Sequence, residues 1–492
     1  MSAPDATPPA PTRIAQVMDQ VRTRIAARQL TPGEKLPSIR AQAATLGLST
    51  STVVEAYERL AAEGLIRSRP GSGWTVAAPL APLALAHIGP RRERAVDPLW
   101  VSRQSLEADD ARWRPGCGWL PPDWLPQAAL RRALRGLGRA EDRALTDYGP
   151  PQGLPALRQW LARRLAEQGV TASPQQILLT GSGTQAIDLV CRFLLQPGDA
   201  VLVDDPCYFN FLAVLRAHRV QVIGVPWTTD GPDLAGFEAA VAAHRPRLYL
   251  TNAGLHNPTG ARLAAPTAHR VLRLAEAAGM TVVEDEVFAD FETHPAPRYA
   301  ALDGLQRVVQ VGSFSKVMSA AVRSGHIAAR TDWIEGLTDL RLATTFGGDA
   351  LGAALVLAVL QDGQWRRHLD TLRLRLARAR HTVAARLQAI GITPWVQPQG
   401  GLFLWGRLPA GVDASALSRA ALMHGIVLAP GNVFSAGQTA DGFMRFNVAQ
   451  MDGPEPPATT ADGLWPTLQT LLRTPDVRGP APSTHARPSP SP

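Results

Sequence analysis

Lysine is nearly absent from this chain: among 492 residues, of which 50 are lysine or arginine, only Lys35 and Lys316 carry a primary amine. Imine formation needs such an amine and a guanidinium cannot replace it, so side-chain Schiff-base chemistry is confined to two positions. Cysteine is scarce too. Cys117, Cys191 and Cys207 fit neither a metal-ligand spacing nor a disulfide framework, and they read as thiols of a reducing cytoplasm. No apolar run reaches the roughly 18 residues of a membrane span. The opening MSAPDATPPAPTR lacks the basic and apolar regions of a secretory leader. A cytoplasmic protein that keeps off membranes is therefore the expectation. Internal repeats are lacking as well.

What is present is positive charge and two differently patterned regions. The formal net charge of +8 suits a polyanionic partner. At this length two or more domains are expected. Residues 1–11 are rich in Ala and Pro and read as disordered. Residues 12–77 form a compact helical pattern closed by a glycine-bracketed hairpin. Residues 78–104 mix Pro, Ala and charge and read as a linker. From 105 to 472, short apolar runs (ILLTG, AVLVDD, QVIGVP, RLYLTN, TVVEDE, RVVQVGSFS) alternate with Ala/Leu/Arg helices, the pattern of an α/β domain around a mostly parallel sheet. The Pro/Ser-rich tail, 473–492, is too polar to bury a core and reads as disordered.

In the first region Ile14, Val17, Met18, Val21 and Ile25 recur at helical spacing. A second helix enters at Pro37-Ser38 and stops at Gly47. A third starts at Ser49, with Val53, Tyr57 and Leu60 inward, and ends at Gly64. LIRSRPGSGWTV then gives two short strands around a glycine turn. Helix, tight turn, helix and wing make a winged helix-turn-helix. The run PGEKLPSIRAQAATLGLSTSTVVEAYERLAAEGLI, followed by GSG, resembles the DNA-binding domain of the GntR superfamily over residues 31–73. The resemblance implies double-stranded DNA as partner, with Arg40, Ser49, Ser51 and Thr52 as contacts and Arg69 and Gly71 on the wing. A plain helix-capping role for the hydroxyls is equally open. Thr50 stands where the family often carries a basic residue. Between Arg13 and Arg69 there are nine basic and five acidic residues, so one copy is expected to bind weakly and a dimer to be needed.

The large region carries a set of spaced motifs: LLTGSGTQAIDLV, VDDPCYF, LHNPTGARL, VVEDEVF, VGSFSKVMSAAVRSGHIA and FMRFNVA. The first is a strand, a Ser-Gly-Thr turn and a helix, whose leading N–H groups suit an anion. The fourth puts Asp285 at a strand end, the ligand edge of an open α/β sheet. Together they resemble the fold-type I aminotransferases, and the whole chain resembles a MocR-type regulator. That resemblance implies pyridoxal 5'-phosphate as cofactor and a small C-terminal α/β subdomain. Lys316 would form the internal aldimine and Asp285 would pair with the pyridinium nitrogen. Ser182, Gly183, Thr184, Ser313, Ser315 and Arg323 would hold the phosphate. Asn257 would bond the phenolic oxygen, Tyr208 would stack on the ring, and Arg445 would clamp an effector carboxylate. Tyr148 would reach the phosphate of a partner subunit, which implies a homodimer. The flanking Glu284 and Glu286 compete with Asp285 on composition alone.

Two positions depart from the family pattern. Phe288 replaces a usual tyrosine whose hydroxyl supports the phenolic oxygen, a loss of about 0.5–1.5 kcal/mol of interaction. His256 replaces a common glutamine, so an unusual ligand pocket is expected. The implied function is a transcription regulator sensing an amine, an amino acid or the cofactor itself. The alternatives are a working aminotransferase with an accessory DNA-binding module, and a DNA-binding dimer with a dead site. Phe288 points to slow or partial turnover.

Overall fold

The computed structural model describes residues 12–26, 30, 34–69, 73–77, 96, 98–107, 113–140, 145–452 and 463–477. They belong to two units, Met1–Arg94 and Ala95–Pro492.

In the first unit, α1 (Arg13–Ala26) buries Val17, Met18 and Val21 along one stripe. α2 (Ile39–Leu46) is capped by Ser38, whose Oγ accepts the Ala41 N–H at 3.2 Å, and it closes on Gly47 in the left-handed region. α3 (Thr50–Ala62) turns Val53, Ala56, Tyr57 and Leu60 into the core shared with α1. β1 (Ile66–Arg69) and β2 (Gly73–Val76) pair antiparallel, Ile66 opposite Val76, as the expected wing. Arg69 ends β1, whereas Gly71 lies outside the described residues.

The second unit is built on an eight-stranded sheet in the order β3-β10-β9-β8-β7-β4-β5-β6. Its strands are β3 (Ile177–Thr180), β4 (Ala200–Asp205), β5 (Gln221–Thr228), β6 (Gly231–Pro232), β7 (Leu248–Thr251), β8 (Thr281–Asp285), β9 (Val308–Ser313) and β10 (Gly325–Ala328). β5, β4, β7, β8 and β9 run parallel, while β10 is antiparallel to both its neighbours. The near-continuous apolar runs read from the sequence are these strands, buried on both faces under helices. A smaller antiparallel sheet, β11-β12-β14-β13, comprises β11 (Thr393–Pro394), β12 (Phe403–Arg407), β13 (Ala429–Pro430) and β14 (Phe443–Asn447). It is the expected small C-terminal subdomain. Among the described residues, no helix is long and apolar enough to cross a membrane.

Two expected boundaries differ from what folds. Residues 98–104, read as linker, begin α4 (Pro98–Glu107), a helix of the second unit. Trp100 and Val101 are buried against Phe209, Trp405, Val433 and Phe434. Fully burying an apolar side chain of this kind is worth roughly 1.5–3 kcal/mol, which outweighs the low apolar content of its flanks. At the other end, Pro475–Val477 fall in the segment read as a disordered tail, yet Val477 is buried and its carbonyl accepts the Asp413 N–H at 2.8 Å. Residues 1–11, most of the linker and 478–492 lie outside the described residues.

Candidate functional site

The C-terminal ends of β4, β7, β8 and β9 open into one crevice, where ligands of doubly wound sheets sit. A cavity of about 220 Å³ lies there, more than ten times the roughly 10–15 Å³ that one water requires.

Lys316, three residues past the end of β9 at Ser313, lines this cavity together with Asp285 at the end of β8. Burial is the main force lowering the Lys316 ammonium to about 8, aided by the nearby Arg445 and Arg323 and opposed by Asp285. Burial likewise pushes Asp285 up to about 7, against the Val287 N–H bond and the Lys316 charge. The Val287 N–H, at 3.1 Å, takes Oδ1, leaving Oδ2 for a cationic partner. Glu284 and Glu286 are excluded by direction. Glu284 accepts the Tyr299 and Ala300 N–H groups at 2.8 and 3.0 Å, and Glu286 binds Arg298 at 2.9 Å. Alternation along the strand sends these neighbours away from the cavity.

One end of the cavity is a helix start. Ser182 caps the helix Gly183–Leu194 by accepting the Gln185 N–H at 3.0 Å, so the Gly183 and Thr184 N–H groups remain for an anion. Ser313 Oγ lies 2.9 Å from Ser315 Oγ and donates to the Ser324 carbonyl at 3.0 Å, while Arg323 Nη1 donates to Ser315 Oγ at 3.4 Å. Gly183 backs directly onto Ser313: a Cβ there would stand 3.4 Å from that of the serine. Hydroxyls, amides and a guanidinium thus converge as a dianion requires.

Asn257 and Arg445 form the far wall. Arg445 Nη1 donates to Asn257 Oδ1 at 3.0 Å and Nη2 to the Gly116 carbonyl at 2.6 Å. With its oxygen engaged, the Asn257 amide group keeps N–H donors for another acceptor. The guanidinium lies over Phe403, 4.2 Å from the ring centroid, with Phe434 at 4.9 Å. Burial lowers its pKa to about 10. Arg445 Nε is buried with no partner. Tyr208, beyond β4, also lines the cavity and packs on Phe209 and Phe211.

Tyr148 stands apart. It is 81% exposed, edge-on to Phe346 at 5.2 Å, and does not reach the cavity of its own chain. His256 does not shape the pocket as expected. Its ring stacks on Trp227 at 4.0 Å and its Nδ1 bonds Thr259 Oγ1 at 2.7 Å, beneath the Asn257 loop. Phe288 lines the cavity and packs edge-on against Phe403 at 5.4 Å, offering no hydroxyl.

Several residues in or beside the cavity have no signal in sequence spacing. Asn252 donates to the Asp285 carbonyl and accepts the Asn257 N–H at 3.1 Å, so it ties two strand ends together. Gly325 on β10 has the anion loop against it: a Cβ would meet Ser182 C at 2.6 Å and Gly183 N at 2.8 Å. At Gly118 a Cβ would stand 3.6 Å from Lys316 Nζ and 3.8 Å from Arg445 Nη2. Ser102, Ser105 and Leu106 of α4 close the remaining side.

In the first unit Arg40 projects to solvent from the first turn of α2. Ser49 caps α3 through the Thr52 N–H at 3.2 Å, and its Oγ lies 2.9 Å from Ser51 Oγ and 2.7 Å from Thr52 Oγ1. The capping role is therefore real for Ser49, and the three hydroxyls form one cluster at an exposed helix N-terminus.

Residues 13–76 match the family model for bacterial regulatory proteins of the gntR family, and residues 120–455 match that for class I and II aminotransferases. The chain is 31% identical over 445 residues to the HTH-type transcriptional regulator YdcR of Escherichia coli K12, whose function is uncharacterized, covering 88% of this chain and 94% of the relative. It is 28% identical over 359 residues to the 2-aminoadipate transaminase of Thermus thermophilus, covering 69% of this chain and 87% of that enzyme. Among solved structures, LysN of Thermus thermophilus, complexed with N-(5'-phosphopyridoxyl)-L-leucine, aligns with a TM-score of 0.68 at 25% identity over 78% of this chain and 95% of its own. The cavity residues fit pyridoxal phosphate: an amine of lowered pKa, a carboxyl in the same cavity, and hydroxyls, a guanidinium and backbone amides at a helix start. The chain belongs to the MocR-type members of the GntR superfamily, in which a DNA-binding winged helix-turn-helix is fused to a class I and II aminotransferase domain that takes pyridoxal 5'-phosphate.

Proposed function

We propose that the aminotransferase-like unit senses an amine or amino acid, or the cofactor itself, and that its occupancy sets how the winged helices engage DNA. The observation that carries this reading is the approach of both Lys316 and Arg445 to Gly118 in one cavity: a Cβ there would stand 3.6 Å from the amine and 3.8 Å from the guanidinium. An α-amino acid presents its two functional groups at such a spacing.

Bound pyridoxal phosphate supplies an electrophilic aldehyde carbon and an electron-withdrawing ring. This chain's residues do the rest. Lys316, with its charge disfavoured by burial, is partly a neutral nucleophile near pH 8. Asp285 offers a carboxylate to the ring nitrogen, and the Asn257 amide an N–H to the phenolic oxygen. Gly183, Thr184, Ser313, Ser315 and Arg323 would hold the phosphate, with Ser182 fixing the helix start. Tyr208 provides a ring to stack on the heterocycle. Arg445, already oriented by Asn257 and Gly116, meets the effector carboxylate.

Sensing needs a route to the DNA-binding unit, and α4 supplies support for one. It is the first described helix after the segment joining the two units, and it walls the cavity. A ligand shifts the protein only as far as it prefers one arrangement over another, so contact with this helix is where such preference can act. The working form is proposed as a cytoplasmic homodimer. Tyr148, Phe346 and Leu351 are large exposed side chains available to a second copy, and paired winged helices match two half-sites.

The test compares full-length protein with Lys316→Ala. The wild type is expected to take up pyridoxal phosphate with a visible band, to retain it covalently after borohydride reduction, and to change DNA affinity when amino acids are added. Loss of the adduct in the variant with an unchanged DNA response would defeat the sensing reading. An active aminotransferase remains the second reading, favoured by the presence of Lys316 and Asp285 in one cavity. Release of keto acid over many turnovers would decide for it. Phe288, without a hydroxyl, argues for slow turnover.

A further inference from the structure

We propose that Asn252 is a positioning residue of the cofactor site: its single side-chain amide sets Asp285 and Asn257, which answer different atoms of the bound ring, against each other. The proposal rests on the assignment of those two residues to the ring nitrogen and the phenolic oxygen. Asn252 follows the last residue of β7, where Thr251 stands beside Glu284 of β8 in parallel register. One step further the main chain leaves the sheet for the turn that carries Asn257. The side chain takes over there. Its Nδ2–H donates to the Asp285 carbonyl, 33 residues on, and its Oδ1 accepts the Asn257 N–H at 3.1 Å. The amide thereby stands in for a peptide group, with one donor and one acceptor on a single plane, as short polar side chains do at turns.

Each end of this bridge completes a residue that other bonds hold only in part. The Val287 N–H at 3.1 Å orients the Asp285 carboxylate, and Asn252 fixes the main chain behind it. Asn257 belongs to a turn closed at 2.7 Å by the Gly260 N–H on the His256 carbonyl, and Asn252 anchors that turn to the sheet. Asn252 is 3% exposed and lines the cavity together with both residues. At that burial a lost partner leaves a polar group without its hydrogen bond, which costs more than the bond itself contributes. The residue type is therefore specific. Aspartate matches asparagine in size but turns an oxygen on the Asp285 carbonyl, and only uptake of a proton gives it back a donor.

The test uses full-length protein with pyridoxal phosphate as the probe. Cofactor affinity, the pH at which the visible band of bound cofactor changes, and the thermal midpoint are measured for wild type, Asn252→Ala, Asn252→Asp and Asp285→Ala. Asn252→Ala is expected to weaken cofactor binding roughly tenfold or more, and to move the pH of the band's change by about half a unit or more, because the partners of two ring atoms shift together. Asn252→Asp is expected to show a similar deficit at about pH 8. Relative to wild type at the same pH, it should recover towards about pH 5, where a protonated carboxyl again donates to the Asp285 carbonyl. If the alanine variant does not fold, the aspartate variant, almost unchanged in volume, carries the test through that recovery. A lowered midpoint with affinity and band unmoved marks an amide that only supports the fold, and overturns the proposal. An aspartate deficit equal at both pH values overturns it too. A band left unmoved by Asp285→Ala strikes the cofactor assignment itself, whereas a band moved there and unmoved in both Asn252 variants strikes the positioning role alone.

Discussion

Replacing Gly118 by alanine puts a methyl group beside both Lys316 and Arg445, the two groups that the proposed effector would bridge. Its carbon would lie 3.6 Å from Lys316 Nζ and 3.8 Å from Arg445 Nη2, both ordinary van der Waals distances, so neither side chain has to move. The fold should tolerate the change, with a stability effect within about 0.5 kcal/mol, as for substitutions that disturb no packing. An effector is different. Its α-carbon and carboxylate need that space, and forcing extra volume into a filled site costs roughly 1–3 kcal/mol. At about 1.4 kcal/mol per factor of ten, effector affinity should fall by about five- to 150-fold while cofactor binding stays as it was. Both quantities can be read from one sample, as the intensity of the cofactor band and as its response to added amino acid. Equal effector affinity in Gly118→Ala and wild type would refute the placement of the ligand between Lys316 and Arg445.

Three further outcomes are expected. Gly325→Ala should lose cofactor, because its Cβ would come within 2.9 Å of backbone atoms of Ser182, Gly183 and Gly312, which cannot give way as a flexible side chain can; retention of cofactor through gel filtration at the wild-type level would contradict this. Capture of pyridoxal phosphate by cofactor-free protein should accelerate with rising pH and level off above about 8, since the neutral amine is the nucleophile and the Lys316 pKa is lowered from 10.5 to about 8; a rate still climbing steeply beyond pH 9.5 would mean an unshifted lysine. Arg40→Ala, at an exposed position on α2, should weaken DNA binding and reduce the magnitude of the salt slope by about one, measured by fluorescence anisotropy at several salt concentrations. An unaltered slope would remove Arg40 from the phosphate contacts.

Local chemistry made much of this protein legible from its residues alone. Caps, glycine stops and apolar periodicity marked α2 and α3 closely, because short-range hydrogen bonds and side-chain period decide where such helices begin and end. The buried strands announced themselves as apolar runs, and a single lysine in the large unit narrowed the amine to one position before any geometry was known. Tertiary structure decided what depends on distance between remote segments. Asp285 and its acidic neighbours are equivalent in composition, and only strand direction turns Glu284 and Glu286 away from the cavity. His256 was expected at the pocket and instead stacks on Trp227 below it, because the turn that carries it faces the sheet. Gly118 and Gly325 carry no side chain to signal a role, and their importance lies in what surrounds them. α4 was hidden in a stretch without a strong periodic signal, since its stability comes from Phe209 and Phe434, more than a hundred residues away along the chain.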